Sequence, residues 1–161
     1  MMPNKHVLYG ALCSLLIYAL FPQIGLLGLL IIFSSSVLID FDHYTCSIMA
    51  GNGWSLKRAY QWCRTKTTSV RDAVNRTYIP FHSAEFFIIL FILLYFSSGI
   101  TSNIILYIII GCFIHIVLDL IHFKIHGIPF YFKTCFIYTL YKNYLYLHKN
   151  IKPKHLNRGE Y

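Results

Sequence analysis

Apolar residues fall in four blocks along the chain, at 7–21, 24–39, 84–100 and 104–121. Pro22 and Gln23 end the first block, Asp40 the second, and Thr101, Ser102 and Asn103 the third. Each block is near the lower limit of the roughly 17–25 residues that a membrane-spanning helix needs. Tight breaks join blocks one and two, and again three and four. The pattern therefore predicts two helical hairpins, an all-α integral membrane bundle of about four spans. The first block also has the length of a signal-peptide core behind Lys5. No clear small-x-small cleavage site follows near Pro22, so it is read as a helix.

Composition sharpens this picture. Of 161 residues, 57% are hydrophobic and only 12% charged, where a soluble domain carries about 25% charged residues. The net charge of +8, in so apolar a chain, points to anionic lipid headgroups, and no nucleic-acid partner is expected. The basic residues also orient the chain. Lys5 precedes the first block. Lys57, Arg58, Arg64, Lys66, Arg71 and Arg76 lie between blocks two and three. Lys124, Lys133, Lys142, Lys149, Lys152, Lys154 and Arg158 follow block four. These are all 14 Lys and Arg residues, and the two tight breaks have none. The positive-inside rule then places both termini and the 44–80 loop in the cytoplasm of a multi-pass cell (inner) membrane protein. The expected organisation is a membrane domain over 1–128 and a basic, aromatic tail over 129–161. Cys13, Cys46, Cys63, Cys112 and Cys135 are odd in number and form no C-x-x-C pair, so they read as free thiols.

Candidate chemistry gathers on the same side. His6 opens the first block from the cytoplasm, and Asp40, Asp42 and His43 close the second. His82 and Glu85 open the third, and His115, Asp119, His122 and His126 run out of the fourth. Four of the six acidic residues belong to this set, so every predicted helix end carries ligand-type groups to one face. Positions 115, 119, 122 and 126 are spaced by four, three and four, which is one stripe of a helix. Asp119 lies inside an apolar run, where an ionisable group costs roughly 2.5–3.5 kcal/mol on insertion scales, so its presence favours a site with His115 over a packing role. His122 and His126 read as interfacial headgroup contacts. His nitrogen with Asp oxygen suits zinc, manganese or ferrous iron, and the donors are numerous enough for one or two ions bridged by an Asp.

The order His6, then Leu38-Ile39-Asp40-Phe41-Asp42-His43, then His82-Ser83, then His115-x-x-x-Asp119 resembles the small membrane-bound metal-dependent hydrolases, a group that includes a LexA-binding inner-membrane protein. More distantly it resembles the zinc phospholipase C and single-strand nuclease superfamily. The likeness spans residues 6–122. It implies metal ligands at His6, Asp40, His82, His115 and Asp119, and less definitely at Asp42 and His43. One departure stands out: many members carry His-Arg ahead of the His-Ser pair, where this chain has Thr77 and Tyr78, with Arg76 adjacent.

The expected function is metal-dependent hydrolysis of a lipid-borne phosphoester at the cytoplasmic face. In it His6, Asp40, His43, His82, His115 and Asp119 hold a divalent metal, zinc or manganese. Asp42 or Glu85 acts as general base, and Arg76 holds the phosphate. The competing readings are a metal-ion transporter or sensor using the same ligands, and a non-catalytic membrane scaffold in which those residues do not converge. Interleaved basic and aromatic residues at 44–80 and 130–149 suit contact with lipid headgroups.

Overall fold

The computed structural model describes residues 3–66 and 80–125. The reading of the tail as an interfacial segment therefore lies outside the described residues, as do Arg76 and His126. Within them the chain is all-α, as the apolar pattern predicts. Helix α1 spans Pro3–Leu20, α2 Gly25–Leu38, α3 Phe41–Ser47, α4 Leu56–Lys66, α5 Ala84–Phe96 and α6 Gly99–Ile125.

Local sequence accounts for the breaks. Pro22 starts a single 3₁₀ turn between α1 and α2, and Gly25 takes φ +67°, which a residue with a Cβ rarely adopts. Ser83 caps α5: its hydroxyl accepts from the Phe86 amide at 3.3 Å and donates to the Pro80 carbonyl at 2.7 Å. The expected 44–80 loop is partly helical. Helix α3 carries the chain on to Ser47, and α4 packs against it with Ala59 buried. The Tyr44 hydroxyl donates to the Trp54 carbonyl at 2.7 Å and closes the connection between them.

The long helices form a bundle. Helix α2 packs most extensively on α6 and next on α1, α1 also touches α6, and α5 docks on α6. Small residues let α2 and α6 approach closely, the usual solution where hydrocarbon surrounds the helices. A Cβ on Gly111 would run into the Ile32 carbonyl oxygen and the Ser35 hydroxyl.

Polarity is inverted relative to a soluble bundle. The largest fully buried side chains among the described residues are Ile32, His6, His115, Asp42, Ser14, Ser36 and Ser47, and all but one are polar. Leu8, Leu12, Leu16, Leu26, Leu30, Ile88, Phe91 and Phe113 point outward. An exterior of this kind is what a lipid phase accommodates.

Two segments, Pro22–Ser47 and Gly99–His122, are long and apolar enough to cross a membrane. The second tight break also falls earlier than expected, at Ser97–Ser98 before Gly99 at φ +61°, and Thr101, Ser102 and Asn103 lie inside α6 because polar residues alone do not interrupt helical hydrogen bonding. The other two expected spans differ. Helix α1 begins with a polar turn around Asn4, Lys5 and His6, and α5 has 13 residues. At 1.5 Å per residue α5 is about 20 Å long, against a hydrocarbon layer of about 30 Å. Of the five cysteines, Cys13 and Cys112 are free thiols, as expected.

The Gly111 contact gives a direct test. Gly111→Ala should push α2 off α6, because the obstructing atom is backbone and cannot rotate away. The expected loss is about 1–3 kcal/mol, read as a lower midpoint of thermal unfolding in detergent.

Candidate metal centre

The site begins with how α2 ends. Its last turn tightens: the Asp40 amide donates to the Val37 carbonyl at 3.3 Å rather than to the carbonyl of Ser36, four residues back. That frees the Ser36 carbonyl, which accepts from His115 Nδ1 on α6 at 2.8 Å. A carbonyl only accepts, so Nδ1 carries the proton, and a neutral His115 ring must present a lone pair at Nε2.

The same logic applies to His82. Its Nδ1 lies 2.9 Å from Asp42 Oδ2. A carboxylate accepts, so Nδ1–H donates to it and the His82 lone pair is also at Nε2. Those two Nε2 atoms face one another at 3.1 Å.

Carboxylates close around this pair. Asp40 Oδ1 lies 3.5 Å from His115 Nε2, 3.6 Å from His82 Nε2 and 3.6 Å from His43 Nε2. Asp119 Oδ2 lies 3.8 Å from His115 Nε2 and 4.0 Å from His82 Nε2, while its Oδ1 lies 3.2 Å from His6 Nε2. The His6 ring stacks on that of His115, with centroids 4.0 Å apart and planes 13° apart.

Three overlapping triads place ligand atoms within 4.8 Å of one another: His6–Asp40–His115, Asp40–His43–His82 and His82–His115–Asp119. Together they contain all six residues expected from sequence to hold metal. The scaffold reading required these groups not to converge, and they converge.

Electrostatics says what such a cluster could hold. Two imidazole lone pairs and two carboxylates pointed at one another repel. A proton shared between the nitrogens would join only that pair, whereas a divalent cation also neutralises the carboxylates. The spacing fits. Tetrahedral coordination at 2.0–2.1 Å separates neighbouring donors by about 3.3–3.4 Å, within the observed 3.1–4.0 Å. Asp119 turns one oxygen to His6 and the other to His82 and His115, the arrangement of a carboxylate able to bridge two ions. His6 Nδ1 is buried with no hydrogen-bond partner among the described residues.

The cluster is closed on one side and open on the other. The side chains of His6, His82 and His115 are at most 2% exposed, whereas those of Asp40 and His43 are 21% and 26% exposed. Access is therefore past Asp40 and His43.

The residues expected to act as catalysts fare differently. Asp42 is buried behind His82, on the ring edge away from the cluster. Glu85 sits half-buried in the first turn of α5 and belongs to none of the triads. Arg76 lies outside the described residues. Ser36 had no sequence signal at all, because its contribution is a main-chain carbonyl. Compared with known protein families, characterised proteins and solved structures, the chain matches none.

Asp42→Asn should leave every donor in place yet weaken the centre, because a neutral amide no longer holds His82 in its tautomer. Metal affinity should fall about 10–100-fold, measured by competition with a chromophoric chelator, at unchanged helical circular dichroism. An unchanged affinity would remove Asp42 as the orienting group.

Proposed function

We propose that the protein is a membrane-embedded, metal-dependent hydrolase of a phosphoester carried by a lipid. The observation that carries this reading is the pair of tautomer-locked imidazoles with their Nε2 atoms 3.1 Å apart between Asp40 and Asp119. A packing role has no use for two such lone pairs in contact. The resemblance in motif order to the small membrane-bound metal-dependent hydrolases supports the same conclusion. So does the one-sided placement of the donors, because a transport path would need ionisable groups along the whole depth of the bilayer.

In this reading His82, His115, Asp40 and Asp119 hold a first zinc or manganese ion. A second ion would have either His6 with the other oxygen of Asp119, or His43 with Asp40 at the open edge, as its donors. A divalent cation held by these residues would supply a water of near-neutral pKa and polarise the phosphoryl oxygen. Water adds to phosphorus, the P–O bond to the alcohol breaks, and the departing oxygen takes up a proton. Asp42, turned to the back of His82, serves as a positioning residue. Glu85, three residues past His82, remains the candidate for general base. Arg76 is retained as the phosphate-holding cation from its place in the chain.

The same reading puts the protein in the inner membrane with four embedded helical segments and both termini cytoplasmic. The α1 and α5 segments reach the bilayer depth through their neighbours and flanking turns rather than by length alone. Thiol labelling of Ser102→Cys and Lys152→Cys in intact cells tests this. Position 102 should react from outside and 152 only after permeabilisation. The reverse pattern would invert the topology and place the centre outside the cytoplasm.

Asp119→Asn and His82→Ala should each abolish cleavage of phospholipid phosphoesters by zinc- or manganese-loaded protein and lower its metal content, with membrane insertion intact. Asparagine keeps the shape of Asp119 but removes the anionic donor, so affinity falls steeply. If the residue only packed, asparagine would be tolerated or stabilising, since it removes a charge from hydrocarbon. Metal loss in the variants without activity in wild type would favour the sensor or transporter reading. Unchanged metal content in both would remove the centre.

A further inference from the structure

A groove of about 400 Å³ opens beside the metal cluster, floored by α6 and walled by α2 and the start of α5. Its volume lies within the roughly 300–1,000 Å³ of small-molecule sites. The lining is apolar, with Leu30, Leu38, Ile39, Phe81, Ile108 and Cys112 contributing. Its polar side chains are two serines: the Ser35 hydroxyl is already donated to the Ile31 carbonyl at 2.7 Å, which leaves Ser34 at the wall. A polar occupant would leave most of its own hydrogen bonds unmade against these walls.

The position of the groove identifies its occupant. Ile39 precedes Asp40, Phe81 precedes His82, and Cys112 sits one turn before His115. Lining residues on three separate elements are thus chain neighbours of metal donors, which themselves stay outside the groove lining. Leu30, at the other end, is ten residues from Asp40, about 15 Å along a helix and half the depth of a hydrocarbon layer. Leu30 and Leu38 are also 52% and 63% exposed on the outward face of α2, so the groove is continuous with the surface that lipid would cover. It runs as a bilayer chain runs, with its polar end at the cluster.

We propose that this groove binds one hydrocarbon chain of a phosphorylated membrane lipid, which enters sideways and is held with its phosphoryl group at the metal cluster. The proposal rests on the metal-centre reading above and names the substrate class of that centre. The outer half of the chain lies against Leu30 and Ile108. The headgroup end passes Ile39 and Phe81 to reach the open edge at Asp40 and His43. The lipid is thus selected by a chain and a phosphate together, and need not leave its leaflet.

The test uses the full chain in nanodiscs of phosphatidylethanolamine and phosphatidylglycerol, with metal content measured on every sample. Two photoreactive probes carry the same diazirine on one acyl chain: a phosphatidylglycerol and a diacylglycerol. In metal-loaded wild type the crosslinks should concentrate on α2 between Leu30 and Leu38 and on Phe81, with the phosphatidylglycerol preferred. Leu30→Trp and Ile108→Trp, each filling the groove, should reduce that labelling about tenfold. Ile89→Trp, on the outward face of α5, should not. Asp119→Asn should lose the preference for the phosphorylated probe while groove labelling by diacylglycerol persists.

Crosslinks spread evenly over the outward faces, or unaffected by either groove variant, would overturn the proposal. So would groove labelling with no preference for phosphate in metal-loaded protein. Absence of metal from wild type, with labelling still concentrated in the groove, would instead overturn the metal centre and with it the assignment of the phosphoryl end. The two failures are thus read from different measurements.

Discussion

The hydrogen bond from His115 Nδ1 to the Ser36 carbonyl is the contact on which the rest of the centre depends. It joins α6 to the end of α2, fixes the His115 tautomer, and turns Nε2 toward His82 and Asp40. It is favoured by the tightening of α2 at Val37–Asp40, which leaves the Ser36 carbonyl without its usual i+4 partner. That same tightening swings Asp40 into the cluster. One local departure from helical hydrogen bonding thereby supplies both an anchor and a ligand.

Close packing makes this bond possible. Gly111 lets α6 approach the Ile32 backbone and the Ser35 hydroxyl, with Ile32 one turn before Ser36 on α2 and Gly111 one turn before His115 on α6. Ser35 and Ser36 return their hydroxyls to the carbonyls of Ile31 and Phe33, each at 2.7 Å, so they fill the interface without adding unpaired donors. In hydrocarbon there is little hydrophobic drive between helices, and backbone proximity with satisfied polar groups has to hold them together. Burying His6, Asp42, His82, His115 and Asp119 costs heavily unless they are paired. Most of their polar atoms find one another, and the cation that their arrangement suits would neutralise the remainder.

Asp40 and Asp42, two residues apart, show how backbone direction separates roles that composition cannot. Both follow α2 and both are carboxylates. Asp40 stands at the turn, partly exposed, with His43, His82 and His115 around it. Asp42, in the first turn of α3, is buried and meets the opposite edge of His82. The first is placed to touch an ion and the second to orient the imidazole that touches it.

The apolar blocks, the break at Pro22 and the one-sided His and Asp residues were legible from sequence, because helical periodicity and the cost of charge in hydrocarbon are local properties; the second break was not, since it falls at Ser97–Ser98 and Thr101, Ser102 and Asn103 continue α6. The i, i+4 spacing of His115 and Asp119 likewise announced a shared helix face. Helix α4 and the shortness of α5 were less legible: packing of α4 against α3, and the extended backbone at Ser97 that ends α5 ahead of Gly99, decide them, and neither follows from hydropathy. Tertiary structure alone assigned the tautomers, the Ser36 carbonyl, the two faces of Asp119 and the groove from Leu30 to Ile39. Each of these is a relation between atoms far apart in the chain, set by the distance at which α2 and α6 pack, and a residue pattern carries no record of that distance.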